Sequence, residues 1–142
     1  MLSFDVLVVS SLFDQFGKYI AILSSDNKIH IYDSNTLSPL KTISMAFNSK
    51  DFHCLKDHKV LSWSPDFTLL ASPNLNDVKI STAIIFDRTK NFNVKNILIG
   101  HKTPINCMKF NPNIYETEGE KTYILAVGDS SGTLSIWKIG GS

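Results

Sequence analysis

The stretch Trp63-Ser64-Pro65-Asp66-Phe67-Thr68-Leu69-Leu70-Ala71 lies near the middle of the chain and has two imperfect copies in it. One copy covers residues 13–21, and the other begins at residues 110–112 and resumes at residues 123–126. In each copy an aromatic residue ends an apolar stretch, a turn follows, and a second apolar stretch ends near an alanine. Internal repetition of this kind predicts an architecture of similar units stacked side by side.

A second repeated segment follows each copy. Residues 29–33, 83–87 and 134–138 align with one another and place Tyr32, Phe86 and Trp137 at the equivalent position. These aromatic residues lie 54 and 51 residues apart. That spacing is longer than the roughly 40–45 residues of a typical propeller repeat, so the connecting loops are expected to carry additional residues.

The repeated segments are short, β-branched and aromatic, and Asp, Asn, Ser, Gly and Pro bound them, which is typical of strands and turns. No stretch keeps a helical period of 3.6 residues. We therefore expect an all-β chain: a β-propeller fragment of about three four-stranded antiparallel blades, the last of them incomplete. The predicted blades cover about residues 6–44, 59–99 and 100–138, followed by a tail at 139–142. The predicted strands lie at about 6–12, 18–24, 28–32, 38–44, 59–63, 68–72, 82–87, 94–99, 104–110, 122–127 and 133–138.

The apolar run Val6-Leu7-Val8-Val9 does not alternate with polar residues, and strands that are buried on both faces have this pattern. Short strands with regular turns also fit a β-sandwich. The repetition favours the propeller.

Gly100-His101 opens the third unit and Trp137 closes its last repeated segment, which resembles the GH…WD signature of the WD40 family. The resemblance implies a buried, hydrogen-bonded set of a His, a Ser or Thr, an Asp in a tight turn and the Trp. A buried imidazole and a buried indole N–H both require partners. Counting back from Trp137 places Ser131 at the Asp position, so either the set is weakened or Asp129, two residues earlier, substitutes. In the first unit Asp26 stands at the expected position.

Longer segments resemble one branch of that family, the HIR/HIRA histone chaperones. The resemblance extends over most of residues 10–138, and its segments are residues 61–66, 71–74, 82–88, 100–105 and 109–115. The middle subunit of the chromatin assembly factor has a similar propeller. The polar insert at residues 74–81 inclines the interpretation toward HIR/HIRA.

The resemblance implies a nuclear, protein-binding scaffold in replication-independent nucleosome assembly and in the regulation, including repression, of histone-gene transcription. Its implied partners are a ubinuclein-like subunit, other members of the histone-chaperone complex and, indirectly, histones H3 and H4. Two alternatives stay open: a WD-repeat subunit of the chromatin assembly factor, and a generic WD-repeat scaffold unrelated to chromatin.

Composition argues against nucleic-acid and membrane partners. The 142 residues carry a formal net charge of +1, which creates no global field toward a phosphate backbone or an anionic membrane. No apolar run reaches the roughly 18 residues of a membrane span. We therefore expect neither direct sequence-specific nucleic-acid binding nor membrane insertion.

Catalytic and metal-binding patterns are weak. His53, Cys54 and His58 share one loop but have no fourth ligand nearby. His101, Asp129 and a serine would make a hydrolase triad, but no G-x-S-x-G context supports it. The sequence therefore predicts neither an enzyme, nor a metal site, nor a cofactor.

One face of the propeller is the candidate docking surface, by analogy with WD40 blades. The connections before each first strand and between each second and third strand lie together, at residues 44–58, 73–81, 100–103 and 129–132. Their mixed charges suit a protein partner better than nucleic acid. The candidate protein-binding residues are Phe52, His53, Lys56, Asn74, Asp77, Lys79 and Lys102.

Three blades do not close a ring, and the ring of the WD40 branch that the chain resembles has seven. The open ends would expose strand-bearing faces, which favour association. The chain is therefore expected to be a fragment, a truncated product or one part of an oligomer, and to self-associate through its open blades.

Overall fold

Three four-stranded antiparallel sheets follow one another along the chain in the computed structural model, which describes residues 1–45, 60–74 and 81–140. The first sheet runs in the order β1-β2-β3-β4. Its strands are β1 (Val8–Phe13), β2 (Tyr19–Ser24), β3 (Lys28–Asp33) and β4 (Pro39–Ser44).

The second sheet repeats this order with β5-β6-β7-β8. Its strands are β5 (Ser62–Trp63), β6 (Leu69–Pro73), β7 (Ser81–Asp87) and β8 (Asn93–His101). A single 3₁₀ turn, Arg88–Lys90, connects β7 to β8, and the Asp87 side chain caps it by accepting a hydrogen bond from the Thr89 N–H.

The third sheet contains β9 (Ile105–Phe110), β10 (Tyr115–Thr117), β11 (Glu120–Asp129) and β12 (Leu134–Gly140). Both β9 and β10 pair with β11, on successive parts of its length, while β12 pairs along the other edge of β11. The sheet is therefore only three strands wide, with β12 at its margin. These sheets confirm the all-β propeller-fragment fold, including its incomplete last blade.

Two parts of the third sheet differ from the sequence prediction. The sequence prediction placed no strand at residues 111–121, but Thr117 and Glu120 pair across a two-residue turn. Glu118 and Gly119 both have positive φ there, as the tight turns of β-hairpins require. The expected tail also begins later, because buried Ile139 pairs with Tyr123 and extends β12 to Gly140.

Strands β5, β6 and β7 of the second sheet are buried on both faces, which explains their largely apolar sequence. Leu70 and Phe86 pack toward the first sheet, whereas Ala71 and Ile85 pack toward the third. Two hydrophobic clusters therefore lie between successive sheets. This stacking of three consecutive sheets is that of propeller blades rather than of a two-sheet sandwich.

Each pair of neighbouring sheets is also joined by polar contacts. Asn27 Nδ2 donates to Asn74 Oδ1 over 2.8 Å, from the first sheet to the second. The Phe110 N–H of the third sheet donates to Ser62 Oγ of the second over 3.0 Å. Within the described ranges, no helix is long and apolar enough to cross a membrane.

Candidate functional site

A chain of hydrogen bonds joins the ends of β8, β11 and β12. His101 Nδ1 lies 2.7 Å from Asp129 Oδ2, and His101 Nε2 lies 2.6 Å from Ser135 Oγ. Trp137 Nε1 donates to the same Ser135 oxygen over 2.7 Å. The His101 and Asp129 side chains are only 2% and 1% exposed. We call Asp129, His101, Ser135 and Trp137 the His101 set.

Asp129 is the acid of this set. Its Oδ1 accepts hydrogen bonds from the backbone N–H and hydroxyl of Ser131 and from the Thr133 N–H. The Ser131 hydroxyl and His101 hold the pKa of the Asp129 carboxyl well below its usual range. The carboxylate is therefore ionised at neutral pH and fixes both the turn and the imidazole.

The structure places Ser131 and Trp137 differently from the prediction. Ser131 contacts Asp129, and the hydroxyl that meets His101 belongs to Ser135, which the sequence reasoning missed. The sequence signal for Ser135 was its position two residues before Trp137, because side chains two residues apart lie on the same face of a strand. Trp137 is partly buried rather than fully buried, because it lies on the marginal strand β12 and packs at the periphery of the core.

The distances within Ser135, His101 and Asp129 resemble those of a hydrolytic triad, but the surroundings are those of a structural set. The Trp137 N–H donates to the Ser135 oxygen and reduces the electron density that a nucleophile needs. The His101 imidazole is also buried, whereas a general base must lie within reach of a substrate. The arrangement ties three strands together.

The first sheet has a related arrangement in which acid and hydroxyl exchange places. Ser24 ends β2 where Asp129 ends β11, and Asp26 stands where Ser131 stands. Ser24 Oγ donates to Asp26 Oδ1 over 2.5 Å and lies 3.0 Å from His30 Nε2. Burial opposes ionisation of Asp26, but the Ser24 hydrogen bond and the nearby Lys28 charge lower its pKa.

The end of the sheets that carries the turns at 25–27, 102–104 and 130–133 is called the upper face. Asn74 lies at this end and links the first two sheets through Asn27, while Lys102 is exposed in the turn after β8. The other predicted protein-binding residues lie outside the described residues: Phe52, His53, Lys56, Asp77 and Lys79.

Metal-binding side chains do not cluster in the described part of the chain, where no group of three His, Cys, Asp or Glu residues is placed to hold an ion. His53, Cys54 and His58, which share one loop in the sequence, lie outside the described residues.

At the opposite end, which we call the lower face, the inner strands β1, β5 and β9 border a cavity of about 530 Å³. Residues of all three sheets line it, among them Phe13, Trp63 and Lys109. We call this cavity the inner groove. The sequence repeat marks Phe13 and Trp63 as equivalent positions, but it does not predict a groove between them.

Comparison with known proteins agrees with this geometry. A family model described as "WD domain, G-beta repeat" matches residues 92–138, which include the whole His101 set. Two solved propeller structures superpose with nearly the whole chain. U3-55K gives a TM-score of 0.63 at 14% identity, over 99% of this chain and 41% of that one. The RRP9 WD40 repeats give 0.62 at 13% identity, over 99% and 40%. The chain is a segment of a WD40-repeat β-propeller.

Sequence relatives indicate more narrowly which kind of WD-repeat protein the chain is similar to. The chain is 35% identical over 129 residues to Protein hir1 of Schizosaccharomyces pombe, covering 88% of this chain and 13% of hir1. It is 32% identical over 126 residues to the histone transcription regulator slm9 of the same organism, covering 88% and 15%. Protein HIR1 of Cryptococcus neoformans is 29% identical over 131 residues, covering 88% and 14%. The chain is thus a WD-repeat segment that is similar to HIR proteins, and it spans about one seventh of the length of these relatives.

Proposed function

We propose that the chain is part of the protein-binding propeller of a HIR-type histone chaperone. It acts as a nuclear, non-enzymatic scaffold in replication-independent nucleosome assembly and in the regulation and repression of histone-gene transcription. The observation that supports this proposal is the 35% identity to Protein hir1 over 88% of the chain. The second relative, named as a histone transcription regulator, supports it in the same way.

The proposed partners are a ubinuclein-like subunit and other members of the histone-chaperone complex, through which the chain reaches histones H3 and H4. The upper face is the proposed docking surface. Exposed Lys102 supports this placement, since it lies beside the turn that the buried carboxylate of Asp129 holds rigid. A rigid turn loses little conformational entropy when a partner binds. The near-neutral net charge favours a protein partner over a phosphate backbone.

The non-enzymatic part of the proposal rests on the His101 set. The side chains that most resemble a catalytic triad are engaged with one another, with the Asp129 turn and with Trp137. Removal of the Ser135 hydroxyl is expected to affect folding stability rather than a reaction.

Binding between purified components tests the proposal. The immobilised 142-residue chain is offered the ubinuclein-like subunit, the neighbouring subunits of the chromatin assembly factor, and histones H3–H4. We expect the ubinuclein-like subunit to bind and the histones to be retained only in its presence. The Lys102→Glu variant should weaken binding, whereas Lys138→Glu, on the marginal strand, should not. Preferential binding of chromatin assembly factor subunits would favour the first alternative, and binding of neither set would favour a generic WD-repeat scaffold.

A further inference from the structure

The inner groove on the lower face presents apolar rings at the opposite end of the sheets from the proposed upper-face docking surface. Phe13 and Trp63 lie at equivalent positions, at the ends of β1 and β5, and both line the groove. Phe13 is 58% exposed. Pro65 and Pro112, in the turns that follow β5 and β9, complete a wall with few mobile side chains.

Aromatic side chains also lie in the turns that follow β1 and β5, next to this wall. Phe16 is 68% exposed, and its ring lies 5.2 Å from that of Phe67 in an edge-to-face arrangement. Phe67 in turn contacts Trp63 and carries the Arg88 guanidinium 4.5 Å above its ring. The exposed ring of Phe16 therefore sits on a fixed support. Exposed aromatic surface of this kind marks binding sites more often than plain solvated surface.

One charged side chain lines the groove, and it is cationic. Lys109 is exposed, and it is the one charged residue among the described residues that line the groove. The acids of the adjoining turns are already engaged. Asp14 accepts from the Phe16 and Tyr19 N–H groups, and Asp66 accepts from Ser64, Thr68 and Tyr123. In the described ranges Lys109 forms no ion pair. Its charge is therefore available to an anionic partner.

From these observations we propose that the inner groove binds an extended acidic peptide segment of a partner protein. One aromatic or large aliphatic side chain of the peptide packs against Phe13 and Trp63, and a flanking carboxylate pairs with Lys109. A peptide fits better than a nucleic acid, because a single cation in the groove neutralises too little of a phosphate backbone. The site is separate from the upper face and does not depend on the proposed histone-chaperone role.

Peptide binding to the immobilised 142-residue chain tests this inference. The probes are three dodecapeptides with Leu, Phe or Trp at the centre and Glu and Asp on both sides. The Lys109→Glu variant is expected to weaken binding about tenfold, and Phe13→Ser about fivefold, because each removes one of the two attractions. The matched controls are Lys138→Glu, on β12, and Leu40→Ser, on β4. Both controls should leave binding unchanged.

A second readout reports on the groove itself. In a Trp137→Phe background Trp63 is the one remaining tryptophan of the chain, so binding of the Leu or Phe peptide should shift its emission. Three results would overturn the inference: no saturable binding of any probe below about 1 mM, equal binding of peptides in which Lys replaces Glu and Asp, or tighter binding of a twelve-nucleotide single strand. If Lys109→Glu fails to fold, Lys109→Gln replaces it, and unchanged binding there counts against the inference. Binding of the ubinuclein-like subunit should survive Lys109→Glu, which separates this result from the proposed function.

Discussion

The Tyr123 hydroxyl donates a hydrogen bond of 2.6 Å to Asp66 Oδ2, from β11 of the third sheet to the turn after β5 of the second. Asp66 is largely surrounded by donors, since Ser64 and Thr68 also donate to its other oxygen. Burial alone would raise the pKa of Asp66, but the hydrogen bonds from Tyr123, Thr68 and Ser64 lower it. Burial and the Asp66 carboxylate together raise the pKa of Tyr123. One charge-assisted bond thus links two blades at the lower face.

Removal of this bond should destabilise the chain. The Tyr123→Phe variant keeps the ring in the core and deletes the donor, so we expect a loss of about 1–3 kcal/mol in the free energy of unfolding. Urea denaturation at one fixed protein concentration measures it. The matched control is Tyr115→Phe, whose side chain is exposed on β10 and which should change stability by less than about 0.5 kcal/mol. Equal effects of the two variants would contradict the interpretation.

The His101→Ala variant should also be destabilised, by about 1–3 kcal/mol, because Asp129 and Ser135 both lose a buried partner. The comparison variant is His30→Ala in the first sheet. Among the described residues its imidazole has one hydrogen-bond partner, Ser24, and it is less buried than His101, so a smaller loss is expected. Thermal unfolding of both variants measures the two losses of stability. A larger loss in His30→Ala than in His101→Ala would count against a dominant role of the His101 set.

The loss of folding stability at acidic pH should depend on Asp129. Its folded-state pKa lies below the unfolded value of 3.8, so the folded state binds fewer protons than the unfolded state near that pH. The stabilisation is present above the unfolded pKa and is lost as the pH falls toward the folded value. Asp129→Asn should therefore be less stable than the parent chain at neutral pH and should lose less stability between about pH 5 and pH 2. Denaturant midpoints across that range test this, with Asp5→Asn, in the exposed amino-terminal segment, as control. Equal losses of folding stability in the parent chain and in Asp129→Asn between about pH 5 and pH 2 would contradict this role of Asp129.

The outer face of the third sheet should drive self-association. Leu134 and Ile136 are 68% and 61% exposed on β12, the margin of that sheet. Burial of a few hundred Å² of apolar surface is worth several kcal/mol at roughly 25 cal/mol per Å². Light scattering after size exclusion should show species larger than 15.9 kDa that grow with concentration. The double variant Leu134→Ser, Ile136→Ser should shift them toward the monomer. A stable monomer of the parent chain at every concentration would refute this prediction.

Sequence periodicity was sufficient to predict the three sheets, because aromatic residues mark equivalent strand ends in each unit. Trp63 and Phe110 end β5 and β9, and Tyr32, Phe86 and Trp137 lie on β3, β7 and β12. The hairpin at Tyr115–Thr117 escaped prediction, since its polar residues pair at an exposed edge where no hydrophobic alternation is needed.

The sequence predicted part of the His101 set, but it did not decide which residues supply the acid and the hydroxyl. The reason is geometric. The register between β9 and β11 shifts between Gly128 and Asp129, so counting residues along the turn does not give the direction of the Asp129 side chain. The inner groove was not predictable from the sequence, because it depends on how three strands from different units converge.

A blade exchange distinguishes HIR-type blades from generic WD40 blades in these three sheets. Residues 8–140 replace the matching segment of Schizosaccharomyces pombe hir1, to which the chain is 35% identical. The control exchange uses the superposable segment of RRP9, which shares the fold at 13% identity. The measurement is the amount of ubinuclein-like subunit that co-purifies with each folded chimera. Our account predicts that the exchange with this chain keeps the subunit bound and that the RRP9 exchange loses it. Equal retention in both chimeras, or loss from the chimera that carries this chain, would contradict the account.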